Sequence, residues 1–110
     1  MGSYLEIDHR EINCKSLSHT LMSAIRMFHG DSEVSKYFIP ESINKEGVGV
    51  GNWVIKRKGI AILVGYFKEV IEDVVIEDDE WDYKYIYNYL VDILTDMVLE
   101  GKKKVYAVWR

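Results

Sequence analysis

Residues 48–67 read VGVGNWVIKRKGIAILVGYF, and the way this stretch divides decides the fold. Val48, Val50 and Val54 alternate with Trp53 and Ile55 in the manner of a strand, and the polar Lys56-Arg57-Lys58-Gly59 reads as a turn. Ile60 to Phe67 is apolar on both faces, the pattern of a central strand covered on two sides. The expectation is a hairpin. Val70 to Ile76 either extends its second strand past a bend or forms another, because Val74 and Ile76 again alternate with charges.

Downstream, Asp78 or Asp79 can cap a long helix over Glu80 to Glu100. Tyr83, Ile86, Tyr87, Leu90, Ile93, Leu94 and Met97 form its apolar arc, and Gly101 marks its stop. Lys102 to Lys104 then lead into a closing strand, Val105 to Trp109. Upstream, Pro40 ends a short helical turn begun at Asp31, and residues 40–47 read as a loop. Leu21, Ala24, Ile25 and Phe28 recur at helical spacing between a Ser16 or Ser18 cap and Gly30. Tyr4 to Asn13 alternates as a first strand. The sum is a small single α+β domain over residues 1–110. It has a mostly antiparallel sheet of four to five strands with two main helices on one face, ordered β-α-β-β-(β)-α-β. The ferredoxin-like order is among those sharing that string.

The 110 residues suffice for one hydrophobic core, and 48% hydrophobic with 29% charged residues places the chain among folded globular domains. The run Ile60 to Val64 falls far short of the roughly 20 apolar residues that cross a bilayer, so neither a membrane span nor export is expected. A lone Cys14 cannot close an internal disulfide, which points to a reducing, cytoplasmic setting. The net charge of −4 opposes general binding to phosphate backbones. A protein partner is therefore the first expectation, and nucleic acid is not.

Five groups of residues invite chemistry. Gly47, Gly49 and Gly51 resemble a phosphate loop, but they run into a strand without a following Lys-Ser/Thr, so bent or close-packed backbone is the reading. His19, Met22, Arg26 and His29 fall along one strip of the first helix. The two histidines lie about 15 Å apart along the axis, too far to chelate one metal together. His19 with Arg26 could instead hold a phosphate or act as a general acid beside a cation, with Lys68 or Glu72 as helpers. Ser18-His19 through Gly30, Asn52 to Lys68, and Leu99-Glu100-Gly101-Lys102 resemble the layout of viral ring nucleases that cut cyclic oligoadenylate. That family carries a catalytic histidine at a helix start, followed by a hairpin, a helix and a short final strand. The resemblance implies a phosphodiesterase with His19 at its centre. The family's Gly-His pair is Ser18-His19 here, its Asn-Arg is Asn52-Trp53, and its long N-terminal segment has no counterpart.

The acidic run Glu77-Asp78-Asp79-Glu80 suits a helix start, whose free N–H groups and dipole favour carboxylates. Beyond it, Trp81, Asp82, Tyr85, Asn88, Tyr89, Asp92 and Asp96 form a strip beside the buried arc. Aromatic anchors bordered by polar groups are the composition of protein interfaces. The partner-binding candidates are accordingly Asp78, Asp79, Trp81, Asp82, Tyr85, Tyr89, Asp92 and Asp96. Lys56, Arg57 and Lys58 with Lys102, Lys103 and Lys104 make a basic patch only if the fold joins them. The favoured function is a protein-interaction module without enzymatic activity, metal or cofactor: an inhibitor, immunity or viral anti-defence protein, with a homodimer as a further expectation. The alternative is a small nucleotide-binding or phosphodiesterase enzyme using His19 and Arg26.

Overall fold

A computed structural model describes residues 4–73 and 77–110, with side chains described outside 77–81. The α+β class, the antiparallel sheet and the packing of helices on one face stand as expected, with five strands and three helices among the described residues. The expected first strand is a tight hairpin. β1 (Leu5–Ile7) and β2 (Arg10–Glu11) are joined by Asp8 and His9, whose φ angles of 52° and 65° make the double left-handed turn that matches strand twist.

Helix α1 (Lys15–His29) follows with Cys14 at its N-cap position and no side-chain cap. Neither expected cap serves: Ser16 already lies in the first turn, and Ser18 lies one turn inside the helix and is fully buried. Its Oγ accepts from the Leu5 N–H at 3.0 Å and donates to the Ile12 carbonyl at 3.4 Å, tying α1 to the hairpin. A 3₁₀ turn (Ser35–Tyr37) then leads into β3 (Phe38–Ile43), so the first half of the expected loop at 40–47 is strand. Pro40 is tolerated because β3 is the sheet edge, where a missing N–H breaks no ladder bond.

The quoted stretch divides otherwise than its pattern suggests. β4 (Gly49–Lys56) passes without a loop into α2 (Arg57–Asp73), so the expected turn at Lys56–Gly59 is the last residue of β4 and the start of α2, and the expected strand at Ile60–Phe67 is helix. Gly59, Ile60, Leu63 and Phe67 are its buried residues, at helical spacing. Residues 60–67 look apolar all round because α2 is flanked on both sides: it packs along α3 (Glu77–Glu100) and against the sheet, while Tyr66 meets Phe28 of α1 edge-on at 5.4 Å. The candidate strand at 70–76 likewise ends in helix through residue 73, and 74–76 lie outside the described residues. Gly101, at φ 69°, closes α3 as expected, with the Lys102 N–H bonding the Met97 carbonyl at 2.8 Å. β5 (Lys104–Trp109) completes the sheet.

Strand order is β2-β1-β5-β4-β3, every neighbour antiparallel. Registers Trp53↔Ala107 and Ile55↔Val105 set Leu5, Ile7, Phe38, Trp53, Ile55, Val105 and Ala107 on one buried face beneath the helices. Glu6, Asn52, Val54, Tyr106 and Val108 alternate to the other face.

Candidate functional site: a basic groove at the start of α2

The central pairing of the sheet assembles the site. Lys56 ends β4 opposite Lys104 of β5, and the Arg57 N–H donates to the Lys103 carbonyl at 2.9 Å. The two basic clusters, far apart in the chain, therefore share one end of the molecule. Between them and the last turns of α3 runs a groove of about 500 Å³. Lys56, Arg57, Lys58 and Lys103 form its rim, and Tyr37, Ala61, Leu94 and Val98 form its floor. Val98 is 59% exposed, a large aliphatic surface for a small domain to leave in water.

Local packing explains why α2 starts here. A Cβ on Gly59 would stand 2.9 Å from the Tyr37 carbonyl oxygen and 2.9 Å from Ile55 Cγ2, so only glycine lets the first turn of α2 press against the 3₁₀ turn. That contact brings Tyr37 to the groove. The electrostatics run against stability: the first turn of α2 holds no acidic residue, and Lys56, Arg57 and Lys58 crowd the positive end of its dipole. Among the described residues none of Lys56, Arg57, Lys58, Lys103 and Lys104 has a carboxylate partner. Lys104 lies over the Tyr106 ring at 5.9 Å. Lys102 is the exception. Hydrogen bonds to Glu100 and to Asp8 raise its pKa and commit it to tying α3 to the β1–β2 turn.

The acidic–aromatic strip of α3 is partly spent inside the fold. The Tyr89 hydroxyl accepts from the Ile7 N–H at 3.0 Å and donates to the Arg10 carbonyl at 2.5 Å, and burial drives its phenol far above the usual range. Asp96 is ion-paired with Arg10. Both residues fasten the N-terminal hairpin to α3. Asp82 is half-buried, and Tyr85 and Asp92 face outward. The side chains of Asp78, Asp79 and Trp81 lie outside the described residues.

His19 and Arg26 are not brought together in a cleft. The exposed His19 ring lies 5.3 Å from Trp109 at the far end of the sheet, and neither residue lines the basic groove or the hollows bordered by Phe67, Trp53 and Tyr87. Lys68 and Glu72 line a separate hollow with Lys84 and Tyr87. His29 is structural: a ring Nδ1–H donates to the Phe38 carbonyl at 3.0 Å, edge-on to Trp53. The glycine run is likewise structural. A Cβ on Gly49 would fall 2.5 Å from Trp53 Cη2, and Gly51 takes φ 85° where β3 and β4 shift register at Glu41. Among the described residues no three His, Cys, Asp or Glu side chains are grouped to hold a metal, and no helix is long and apolar enough to cross a membrane.

No family model, curated protein or solved structure matches the chain. The resemblance to ring nucleases sets a hairpin within Asn52 to Lys68, whereas the hairpin between the helices is β3–β4, residues 38–56, and Asn52 to Lys68 is mostly helix.

Proposed function

We propose that this protein is a small cytoplasmic interaction module whose basic groove binds an acidic, aliphatic-bearing segment of a partner protein. The observation that carries this reading is the rim: four cations with no carboxylate partner among the described residues, three of them placed where the dipole of α2 disfavours them, around an apolar floor. A local rule broken without compensation inside the fold is the signature of a site kept for a ligand. The floor selects the ligand class. Ala61, Leu94 and Val98 are aliphatic and Tyr37 is the single aromatic among the lining residues, whereas nucleic-acid strands are held on successive stacking rings. Carboxylates on the rim and Leu- or Ile-like anchors on the floor match it. An inhibitory, immunity or anti-defence role belongs to this reading, since a module of this kind acts by occupying a partner's surface.

A random peptide library displayed on phage tests it. Selection on the native protein, with counter-selection on an Arg57→Glu/Lys103→Glu variant, is expected to enrich sequences combining Asp or Glu with aliphatic residues. Their synthetic forms should lose about tenfold or more in affinity for the variant, the loss of one strong charged contact. Peptides that bind the variant equally well would sink the reading. Tighter binding of a single-stranded oligonucleotide, with a steep salt dependence abolished in the variant, would replace it with nucleic-acid recognition.

The outer face of α3 supports a second protein-binding reading. Tyr85, 37% exposed, and Asp92 face solvent there beside the half-buried Asp82, and suit a basic partner surface. Peptides selected on the native protein that are basic, and that a Tyr85→Ala/Asp92→Lys variant no longer binds, would favour this face over the groove.

A further inference from the structure

The sheet face turned away from the helices carries an apolar row across three strands. Registers Val54↔Tyr106 and Ile39↔Val54 align Tyr106, Val54 and Ile39 side by side, with Tyr106 56% and Ile39 42% exposed. A shallow hollow of about 310 Å³ lies along this row, bordered by Glu41 and Asn52. Charge is divided across the row by sign, with Arg110 beside Glu6 as the exception. On one side stand Lys104 and Lys56, paired across β5 and β4. On the other stand Glu41 at the β3 bulge and Glu6, which faces Val108. Of these, Glu6 is already shared with Arg110 at 2.9 Å, whereas neither lysine has a carboxylate partner among the described residues.

We infer that this face pairs two copies of the chain into a symmetric dimer. A two-fold axis lying in the interface along the Tyr106–Val54–Ile39 row keeps each strand over its counterpart and reverses its direction. The apolar rows then meet, and the lysine row of one copy covers the glutamate row of the other, Lys56 toward Glu41. A pattern that changes sign across its own midline is complementary to itself under this one operation, as an isologous interface requires. Turning the second copy about an axis parallel to the strands would stack lysine on lysine. A foreign partner of one charge would meet repulsion over half the face. Edge-to-edge pairing is blocked as well, since β3 carries Pro40 and a bulge and β2 has only two residues.

Sedimentation velocity over a concentration series is the test. The weight-average mass is expected to rise from 12.9 kDa toward twice that value as concentration increases through the micromolar range. Tyr106→Asp should hold the protein at the monomer mass with its thermal unfolding at low concentration unchanged. Lys56→Glu and Glu41→Lys should each weaken the dimer by about tenfold, and the double reversal should restore it. A monomer mass at every concentration overturns the proposal and leaves the face to a different protein. A dimer that survives Tyr106→Asp overturns it too, because the copies would then meet elsewhere.

Discussion

Replacing Tyr89 by phenylalanine removes one oxygen atom and two hydrogen bonds, and its effect has a pH signature that can be worked out in advance. In the native protein the hydroxyl accepts from the Ile7 N–H and donates to the Arg10 carbonyl, pinning both strands of the N-terminal hairpin to α3. Without it, a buried N–H and a carbonyl lose their partner at the same place. At about 1 to 2 kcal/mol for each buried group left unpaired, Tyr89→Phe should cost about 2 to 4 kcal/mol near neutrality. The second part concerns protons. The folded phenol is held above its ordinary value of 10.0 chiefly by burial, while the unfolded phenol ionises at that value. A pKa raised on folding means stability present in full below the unfolded pKa and lost as pH climbs toward the folded one. Wild-type protein should therefore lose about 1.4 kcal/mol per pH unit above pH 10 from this residue alone, a loss the phenylalanine variant escapes. Every other group is common to the two proteins and drops out of the difference. Urea unfolding of the pair should show a gap that is constant to about pH 9.5 and has narrowed by about 2 kcal/mol at pH 11.5. A gap that does not narrow, or one under about 1 kcal/mol at pH 7, would refute the assignment of Tyr89 as a buried tether.

Three glycines and one lysine supply further tests by thermal or chemical unfolding. Within α2, Gly65→Ala should stabilise by about 0.5 to 1 kcal/mol, because an added Cβ meets nothing within 4 Å and alanine is the better helix former. Gly59→Ala in the same helix should instead destabilise by about 1 to 3 kcal/mol, since its Cβ would collide with the Tyr37 carbonyl. Gly49→Ala should cost at least as much, because the atoms in the way are Trp53 and Pro40 of the packed core face. Lys58→Glu exchanges the disfavoured charge at the first turn of α2 for a favoured one. It should raise stability by about 0.3 to 1 kcal/mol while weakening the binding of groove-selected peptides. If that variant is less stable than wild type, the dipole argument for the site fails.

Where periodicity was long and one-sided, the sequence was legible. Ile86, Leu90, Ile93 and Met97 announce α3, and Leu21, Ala24 and Ile25 announce α1; in each case helical spacing and a one-sided apolar stripe agree. Residues 57–67 hid their helix because two signals coincided. Lys-Arg-Lys-Gly resembles a turn by composition, although Gly59 is there for close approach to Tyr37 rather than for turn geometry. Ile62 and Val64, half-buried beside the fully buried Ile60 and Leu63, filled in the apolar pattern until its period vanished. Neighbours on more than one side create this ambiguity, and they are a tertiary fact. β3 was missed for a local reason that tertiary position reversed: Pro40 excludes a central strand, and β3 is an edge.

The candidate site was legible in its parts and not in its assembly. Both lysine clusters stand out in the sequence, but the register Lys56↔Lys104 and the missing loop between β4 and α2 are what join them. Once joined they change the meaning of the overall acidity. A chain of net charge −4 repels a polyanion at long range, yet it concentrates four cations on the rim of one groove, so attraction acts only within about a Debye length, roughly 8 Å at physiological salt. Such a surface discriminates. On the proposed reading, a bulk polyanion would be turned away by the rest of the molecule, while a short acidic segment with aliphatic side chains would reach the groove and gain from its floor. The same reasoning bears on the acidic–aromatic strip of α3: Tyr89 and Asp96 looked available because spacing alone puts them beside the buried arc, but the hairpin that consumes them, through Ile7 and Arg10, comes from the opposite end of the chain.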